Sequence, residues 1–538
     1  MKKRLLALLV VVVVVLPMLF AGCSSTPAPS ASAAASASNA ETAAASAAPA
    51  ANAKPFIFAQ GADPRGLDPA YVDDGESAKV MCNVYEGLLQ YKGETTELEP
   101  CLAESWEVSA DGLEYTFHLK KDVKFHDGTP FNAEAVKYNI DRQLPPKRTD
   151  DMPYASFTFG PVKQVDVVDD STVKITLTAP YTPFLANLAM TLAAPMVSPT
   201  ACEKAGGNLM ENPVGTGPFK FVKWDKGQSL TLERNEEYWG TKALLPKVIF
   251  QFIKENNVRA SKLANGEIDA MDGLDPNDVK MLENAKVSIF QAKGMNINYM
   301  LFNCSREPFN DPKLREAICR AINVPELVTA LYQGYAEVAN SPLPDFMPGY
   351  DKDVQQYGYD PAKATELIKE LGKEGMSINM IAYSNARPYN PVTGQKLAEA
   401  VQGYLMKVGL KVTITPYDWT EYKKRIGNGE GDIAFYGWTG DNGDTDNFLS
   451  LLESKEIDST LNSAKYSNTA IDDLLVKARS LPNGADRDNA YKQVQQLMAK
   501  DAPWLPISHS IVLAGYNPAV KGFTMHPTGS IFFAGVSK

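Results

Sequence analysis

Residues 431–448 read GDIAFYGWTGDNGDTDNF. The run Ile433, Ala434, Phe435, Tyr436 has the length and composition of a buried strand. It breaks into Gly, Asn and Asp, residues that accept the backbone angles of a tight loop. Trp438, Asp441, Asp444 and Asp446 therefore hang off the end of a core strand, a place where binding groups commonly sit.

Upstream, residues 377–383 alternate as a strand, and 384–391 read SNARPYNP, a loop. Residues 395–407 place Leu397, Val401, Leu405 and Val408 on one helical face, stopped by Gly409. Residues 410–414 form the next strand, and a helix running to about Arg425 leads to the strand at 432–438. Strand, helix, strand in this rhythm is a parallel crossover unit. In open parallel sheets ligands collect beyond the carboxyl ends of the strands. Arg387 follows one such end and Asp441 another, so one sheet edge presents a cation and an anion. That pairing suits a small zwitterion. A two-residue peptide spans about 7 Å, so a fixed Arg/Asp separation would act as a ruler.

The other end of the chain is not part of a fold. Lys2, Lys3 and Arg4 precede an apolar run at 5–16 and then Leu19-Phe20-Ala21-Gly22-Cys23, the layout of an export signal. The run is short for a membrane span. Residues 24–54 are nearly all Ser, Ala, Pro, Thr and Asn, too polar and small to offset their ordering entropy, and read as a tether. The remainder of the 538 residues exceeds one ordinary core, so two or more lobes are expected. A net charge of −11, with no basic block after residue 4, argues against nucleic acid as a partner. Six cysteines show no metal-ligand spacing; Cys304 with Cys319, or Cys82 with Cys101, are candidate disulfides in an exported chain.

The body alternates strand and helix from Pro55. A strand is expected at 56–60, a helix at 76–89, a strand at 113–119, a strand meeting a turn at 123–128, a helix from Asn132 through Arg142, and a hairpin at 162–177. Several strings here carry a resemblance: GLDP (66–69), YEGLL (85–89), LAESWEVSADGLEYTFHLKKDVKFHDGTPFNAEAV (102–136), PFLANLAM (183–190), NPVGTGPF (212–219) and ERNEEYWG (233–240). PFNDPKLREAICRAIN (308–323), YDPAKATELIKE (359–370) and RPYNP (387–391) continue it. Together they resemble the large peptide-binding proteins of bacterial ABC importers, the extracellular solute-binding proteins of family 5, over essentially everything after the tether. RPYNP followed by GWTGDNGD is most similar to the dipeptide-binding branch.

The resemblance implies an α/β, two-lobed periplasmic-binding-protein fold (type II, large peptide-binding cluster) with an extra β-rich domain inserted in the first lobe. It implies the first lobe at 55–293 plus 504–538 and the second at 294–503, after a lipoprotein signal at 1–22 and a tether at 23–54. Cys23, directly after Ala21-Gly22, resembles a lipobox cysteine, although Phe20 departs from the usual Leu. In dipeptide-binding relatives an Arg at the Arg387 position pairs with the peptide carboxylate, and an Asp at the Asp441 position with its amino group. Trp438, Tyr389 and Tyr436 would line the cleft. Backbone groups of Gly437, Thr439 and Gly440, and of Ala62 and Asp63 opposite, would bond the ligand as an added strand. Asp444 and Asp446 are assigned to loop structure, because the loop lacks the Gly and terminal Glu of an EF-hand. The expected partners are a dipeptide or short peptide, the permease subunits and a membrane held through lipid, with the protein acting as a monomer without cofactor or metal.

Two other readings remain. The same fold serves relatives that bind oligopeptides, nickel complexes or haem, or that sense peptides; four histidines speak mildly against imidazole ligation. An exported hydrolase would need a nucleophile with a base, and neither a Gly-x-Ser-x-Gly elbow nor a His-Glu-x-x-His motif is present.

Overall fold

A computed structural model describes residues 54–459 and 461–538. The export signal, the lipidation site Cys23 and most of the tether lie outside the described residues. Among the described residues no helix is long and apolar enough to cross a membrane.

The strand Asn296–Phe302 is buried at every position; most of it is apolar, and its two asparagines find partners, Asn296 in Ser510 and Asn298 in the Tyr332 hydroxyl. It lies at the centre of the second lobe, antiparallel to Ile433–Thr439 on one side and to the start of Trp504–Tyr516 on the other. Beyond Ile433–Thr439 come Ser377–Tyr383 and Lys411–Tyr417, mutually parallel. The helix between them, Gly394–Lys407, begins where Thr393 Oγ1 accepts from the Lys396 amide at 3.3 Å. It buries Leu397, Ala398, Val401 and Leu405 on the sheet. Gly409, at φ +84°, ends it in a left-handed turn that a side chain would strain. The crossover unit expected from the sequence is present.

Trp504–Tyr516 is long enough to serve both lobes. Residues Trp504 to Ser508 pair with Asn298–Leu301, and Ile511 to Tyr516 pair with Ser288–Lys293. The same strand then meets Ala270–Asp272, which leads through Phe56–Gln60 into the first-lobe sheet. Where the two crossing strands meet, Asn296 clasps Ser510: its Oδ1 accepts from the Ser510 amide at 2.8 Å and its Nδ2 donates to the Ser510 carbonyl at 2.9 Å. The passage between lobes thus lies near Gly294 on one strand and inside Trp504–Tyr516 on the other.

The first lobe carries a separate four-stranded antiparallel sheet, Ala103–Val108, Glu114–Leu119, Thr172–Leu177 and Val162–Asp169 in that order, with its own apolar core. Glu114–Leu119 buries alternate residues, as one covered face requires. The helix Ala133–Asp141 packs on this sheet, capped by Asn132 Oδ1 on the Ala135 amide at 3.0 Å.

Two expectations are corrected, and the pairing of the cysteines, open in the sequence, is decided. The helix expected at 76–89 ends at Met81. Beyond it the backbone carbonyls of Asn83 and Val84 are taken by the amides of Phe219 and Gly217, and the Asn83 side chain by Ile531, so long-range bonds override local helical preference. At 123–128 the expected turn is present, but the strand leading into it is reduced to one isolated bridge, Lys124 to Pro130. Cys82, Cys101, Cys202, Cys304 and Cys319 are all free thiols.

Candidate functional site

Ser377–Tyr383 and Ile433–Thr439 run parallel and touch at Met380 with Ile433 and Ile381 with Ala434, so their carboxyl ends open on the same edge. The first end leads into a tight turn in which the Arg387 and Asn390 amides each donate to the other's carbonyl at 2.9 Å. Asn390 fixes that turn from beneath, donating to the Tyr383 hydroxyl at 2.8 Å and accepting from Tyr332 at 2.9 Å. Tyr389 is buried, with its ring against Gly437: a Cβ on Gly437 would sit 2.2 Å from Tyr389 Cδ2. Only glycine permits the Arg387 turn to approach the second strand this closely.

Arg387 is half-buried and forms no ion pair among the described residues; its Nε is covered and without a hydrogen-bond partner. Its guanidinium lies 4.1 Å from the centre of the Trp419 ring. The opposite charge has the same character. Asp441 follows Ile433–Thr439 by two residues, forms no ion pair among the described residues, and its Oδ2 is covered and takes no hydrogen bond of ordinary geometry. Burial raises its pKa to about 7; the Tyr154 hydroxyl and the Asn447 amide beside it restrain the shift, and the charge of Asp73 adds to it. Tyr154 and Asp73 belong to the first lobe, so Asp441 is desolvated by the facing wall of the cleft.

The other acidic residues of the loop are neutralised. Asp444 is gripped by Arg487 through two bonds of 2.7 and 2.8 Å. Asp446 accepts from Arg479 Nε at 2.8 Å, and the same guanidinium reaches Glu453 at 2.5 and 2.6 Å. Both arginines come from the helices Thr469–Ser480 and Ala485–Asp501. A carboxylate held by a bidentate arginine is a structural brace. Asp441 alone in this loop keeps a carboxylate to offer.

Trp438 is half-buried, and its Nε1 donates to Asn447 Oδ1 at 2.7 Å, an oxygen that also takes the Asp441 amide at 3.2 Å. Tyr436 is half-buried and stacks on Trp419 with ring centres 5.6 Å apart. Gly437 and Thr439 are registered against Asn298 and Asn296, and the Gly440 amide donates to the Met295 carbonyl at 2.7 Å. Across the cleft the Ala62 carbonyl accepts from Gln60 at 2.9 Å, and the Asp63 carboxylate takes Trp224 Nε1 at 2.7 Å and the Gly227 amide. The Asp63 side chain thus serves the first lobe's own fold.

The lobes meet across this edge. Asn442 Nδ2 donates to Asn187 Oδ1 at 2.6 Å, and Thr182 bonds the carbonyls of Arg479 at 2.8 Å and Leu481 at 2.6 Å. Gly443 abuts Thr96 so closely that a Cβ would lie 2.3 Å from it. The cleft is closed over Asp441. Residues from the facing lobe (Tyr154, Asp73, Tyr91 and Thr96) and the platform Trp419 are absent from the sequence reading. Their only signal is long-range contact, which no local pattern reports.

Residues 97–459 match the bacterial extracellular solute-binding proteins, family 5 (middle). The chain belongs to this family. It is 36% identical over 510 residues to haem-binding protein A of Haemophilus influenzae, covering 90% of this chain and 92% of that one. It is also 36% identical over 514 residues to the dipeptide-binding protein of Escherichia coli, covering 91% and 95%. A solved ABC transporter-associated periplasmic binding protein from Helicobacter pylori, in complex with the peptide STSA, superposes with a TM-score of 0.78. That structure is 34% identical and covers 89% of this chain and 98% of its own. Two-lobed architecture and family agree with the expectation from the sequence.

Proposed function

We propose that this chain is the substrate-binding component of a peptide importer, capturing a dipeptide between its lobes by its two free termini. The observation that carries the reading is the pair of uncompensated charges: Arg387 and Asp441 stand at one sheet edge with no counter-ion among the described residues, while Asp444 and Asp446 are paired with arginines. An orphaned buried charge is costly, so a site holding two of opposite sign is built for a ligand that brings both complements. Arg387 receives the carboxylate through its planar fork and Asp441 the ammonium. Ligand side chains face Trp438, Tyr436 and Tyr389 without charged discrimination. Backbone groups of Gly437 and Thr439, with those at Ala62 and Asp63 opposite, flank the peptide.

The name of the haem-binding relative raises another ligand, but each histidine here is already engaged. His118 lies 3.9 Å from Glu107, His126 bonds Gly217, His509 bonds Asn296, and His526 bonds Thr95. Longer peptides are the stronger alternative, given the STSA complex. In the cell the protein works as a monomer, anchored outside the cytoplasmic membrane through lipid on Cys23, and hands its ligand to a permease without cleaving it.

Calorimetry with dipeptides, tripeptides, tetrapeptides and end-blocked controls tests the reading. Free dipeptides should bind at micromolar or tighter affinity with little side-chain preference. N-acetylation, C-amidation, Asp441→Asn and Arg387→Ala should each weaken binding at least about tenfold, the size of one charged hydrogen bond. Equal affinity for blocked and free peptides refutes the terminal-charge mechanism, and release of free amino acids refutes a pure binding role.

A further inference from the structure

Arg387 presents a problem of design. A long, flexible side chain must be held in one place, yet an acidic partner would occupy the donors the ligand needs. Its turn is braced through Asn390, and among the described residues the guanidinium lies beside the Tyr389 hydroxyl and over the Trp419 ring, with Tyr436 close by and no acidic side chain paired with it. Trp419 offers a face. Stacking engages the flat π surface of the guanidinium and leaves its in-plane N–H groups pointing outward, where a carboxylate can take them.

The ring is itself immobilised. It stacks on Tyr436 at 5.6 Å and 17° and on Tyr422 at 6.0 Å and 25°, and meets Tyr383 edge-on at 5.6 Å and 90°. Tyr422 is bolted to the strand that leads to Asp441: its hydroxyl donates to the Phe435 carbonyl at 2.5 Å and accepts from the Phe435 amide at 3.0 Å. Tyr383 is bonded to Asn390 in the Arg387 turn at 2.8 Å. Trp419 therefore touches both arms of the site, at the start of a helix, Trp419–Gly427, that carries neither charge.

We propose that Trp419 is a positioning residue that holds Arg387 un-neutralised at its set distance from Asp441 and so confers selectivity for a free ligand carboxylate. This rests on the reading of Arg387 as the carboxylate receptor. The test measures two ratios by calorimetry with one dipeptide, its C-terminal amide and its N-acetyl form. The acid-to-amide ratio reports Arg387 and the amine-to-acetyl ratio reports Asp441. In Trp419→Leu, which keeps apolar bulk without a π face, the acid-to-amide ratio should fall about three- to tenfold while the other ratio stays. Trp419→Phe should retain most of the wild-type acid-to-amide ratio, and that variant decides the matter should the leucine protein fail to fold. An unchanged acid-to-amide ratio in Trp419→Leu, loss of that ratio in Trp419→Phe, or both ratios falling together overturns the proposal. A wild-type protein that does not distinguish acid from amide overturns the terminal-charge reading instead.

Discussion

Replacing Gly443 with alanine separates lobe closure from ligand contact. Gly443 lies in the acidic loop of the second lobe, and Thr96 in the turn between the first-lobe strands Leu89–Tyr91 and Leu98–Pro100. A Cβ on Gly443 would lie 2.3 Å from Thr96 Cβ, 2.9 Å from its Cγ2 and 3.2 Å from its carbonyl oxygen. Gly443 is not in the left-handed region, so alanine strains nothing within the loop itself. Carbon atoms pack at about 3.5–4.0 Å, so the lobes must part by roughly 1.2 Å at this point. The neighbouring bond between Asn442 and Asn187, 2.6 Å long, stretches with them. Overpacking of this kind costs about 1–3 kcal/mol, and here it falls on the closed state alone. The closed-to-open ratio with peptide bound should drop about 5- to 150-fold. Small-angle scattering at saturating peptide should show incomplete compaction, and stopped-flow should show faster release with little change in the rate of association. Thr96→Gly removes the opposing Cβ and should restore closure to Gly443→Ala. A Gly443→Ala protein that closes and binds like the wild type, or one that the second change fails to rescue, refutes the packing argument.

Affinity should fall with acidity. The Asp441 carboxyl, raised to about 7 by burial in the closed cleft, must be ionised to receive an ammonium, so acid that protonates it in the empty protein should weaken binding by up to about tenfold per pH unit. In Asp441→Asn this slope should vanish; calorimetry from pH 5 to 8 in two buffers reads it as proton release. Arg487→Met leaves Asp444 buried without its partner and should destabilise the protein by about 3–5 kcal/mol in urea unfolding. Adding Asp444→Asn should recover part of that loss, and equal midpoints for the single and double variants would show that no orphaned charge was involved.

Much of the second lobe is legible because its signals are local. Leu397, Val401 and Leu405 at helical spacing, a stop at Gly409 and an apolar run at 433–436 each commit a few neighbouring residues, and the strand Ser377–Tyr383 appears as read. Parallel pairing then follows from the crossover, and it alone puts Arg387 and Asp441 on one edge. What the sequence conceals is which charges are spent. Arg479 and Arg487 sit among ordinary helix surface residues, and nothing nearby tells that they neutralise Asp446 and Asp444. Trp419 opens a helix capped by Asp418, and its role appears only when the Arg387 turn folds over it. Residues 82–88 mislead for the converse reason: they carry apolar residues at helical spacing, but the carbonyls of Asn83, Val84 and Glu86 are claimed by chain more than a hundred residues away.

The electrostatics of Asp441 also explain why an empty cleft need not stay shut. Its carboxyl is raised from 3.8 to about 7 in the closed, ligand-free arrangement, with burial as the leading cause. A carboxyl whose folded pKa is raised contributes stability below its ordinary value and loses it as pH rises through the shifted one. Above about pH 7, closing on nothing therefore buries an ionised group without a partner, and the open state, where water reaches it, is favoured. A ligand ammonium reverses the sign by supplying the missing charge at the moment the facing lobe excludes water. The same desolvation that makes Asp441 costly in the empty protein gives the bound ammonium its strength, since both arise from the approach of Tyr154 and its neighbours. Closure and recognition are thus one electrostatic event, with Asp441 as the group that makes each conditional on the other.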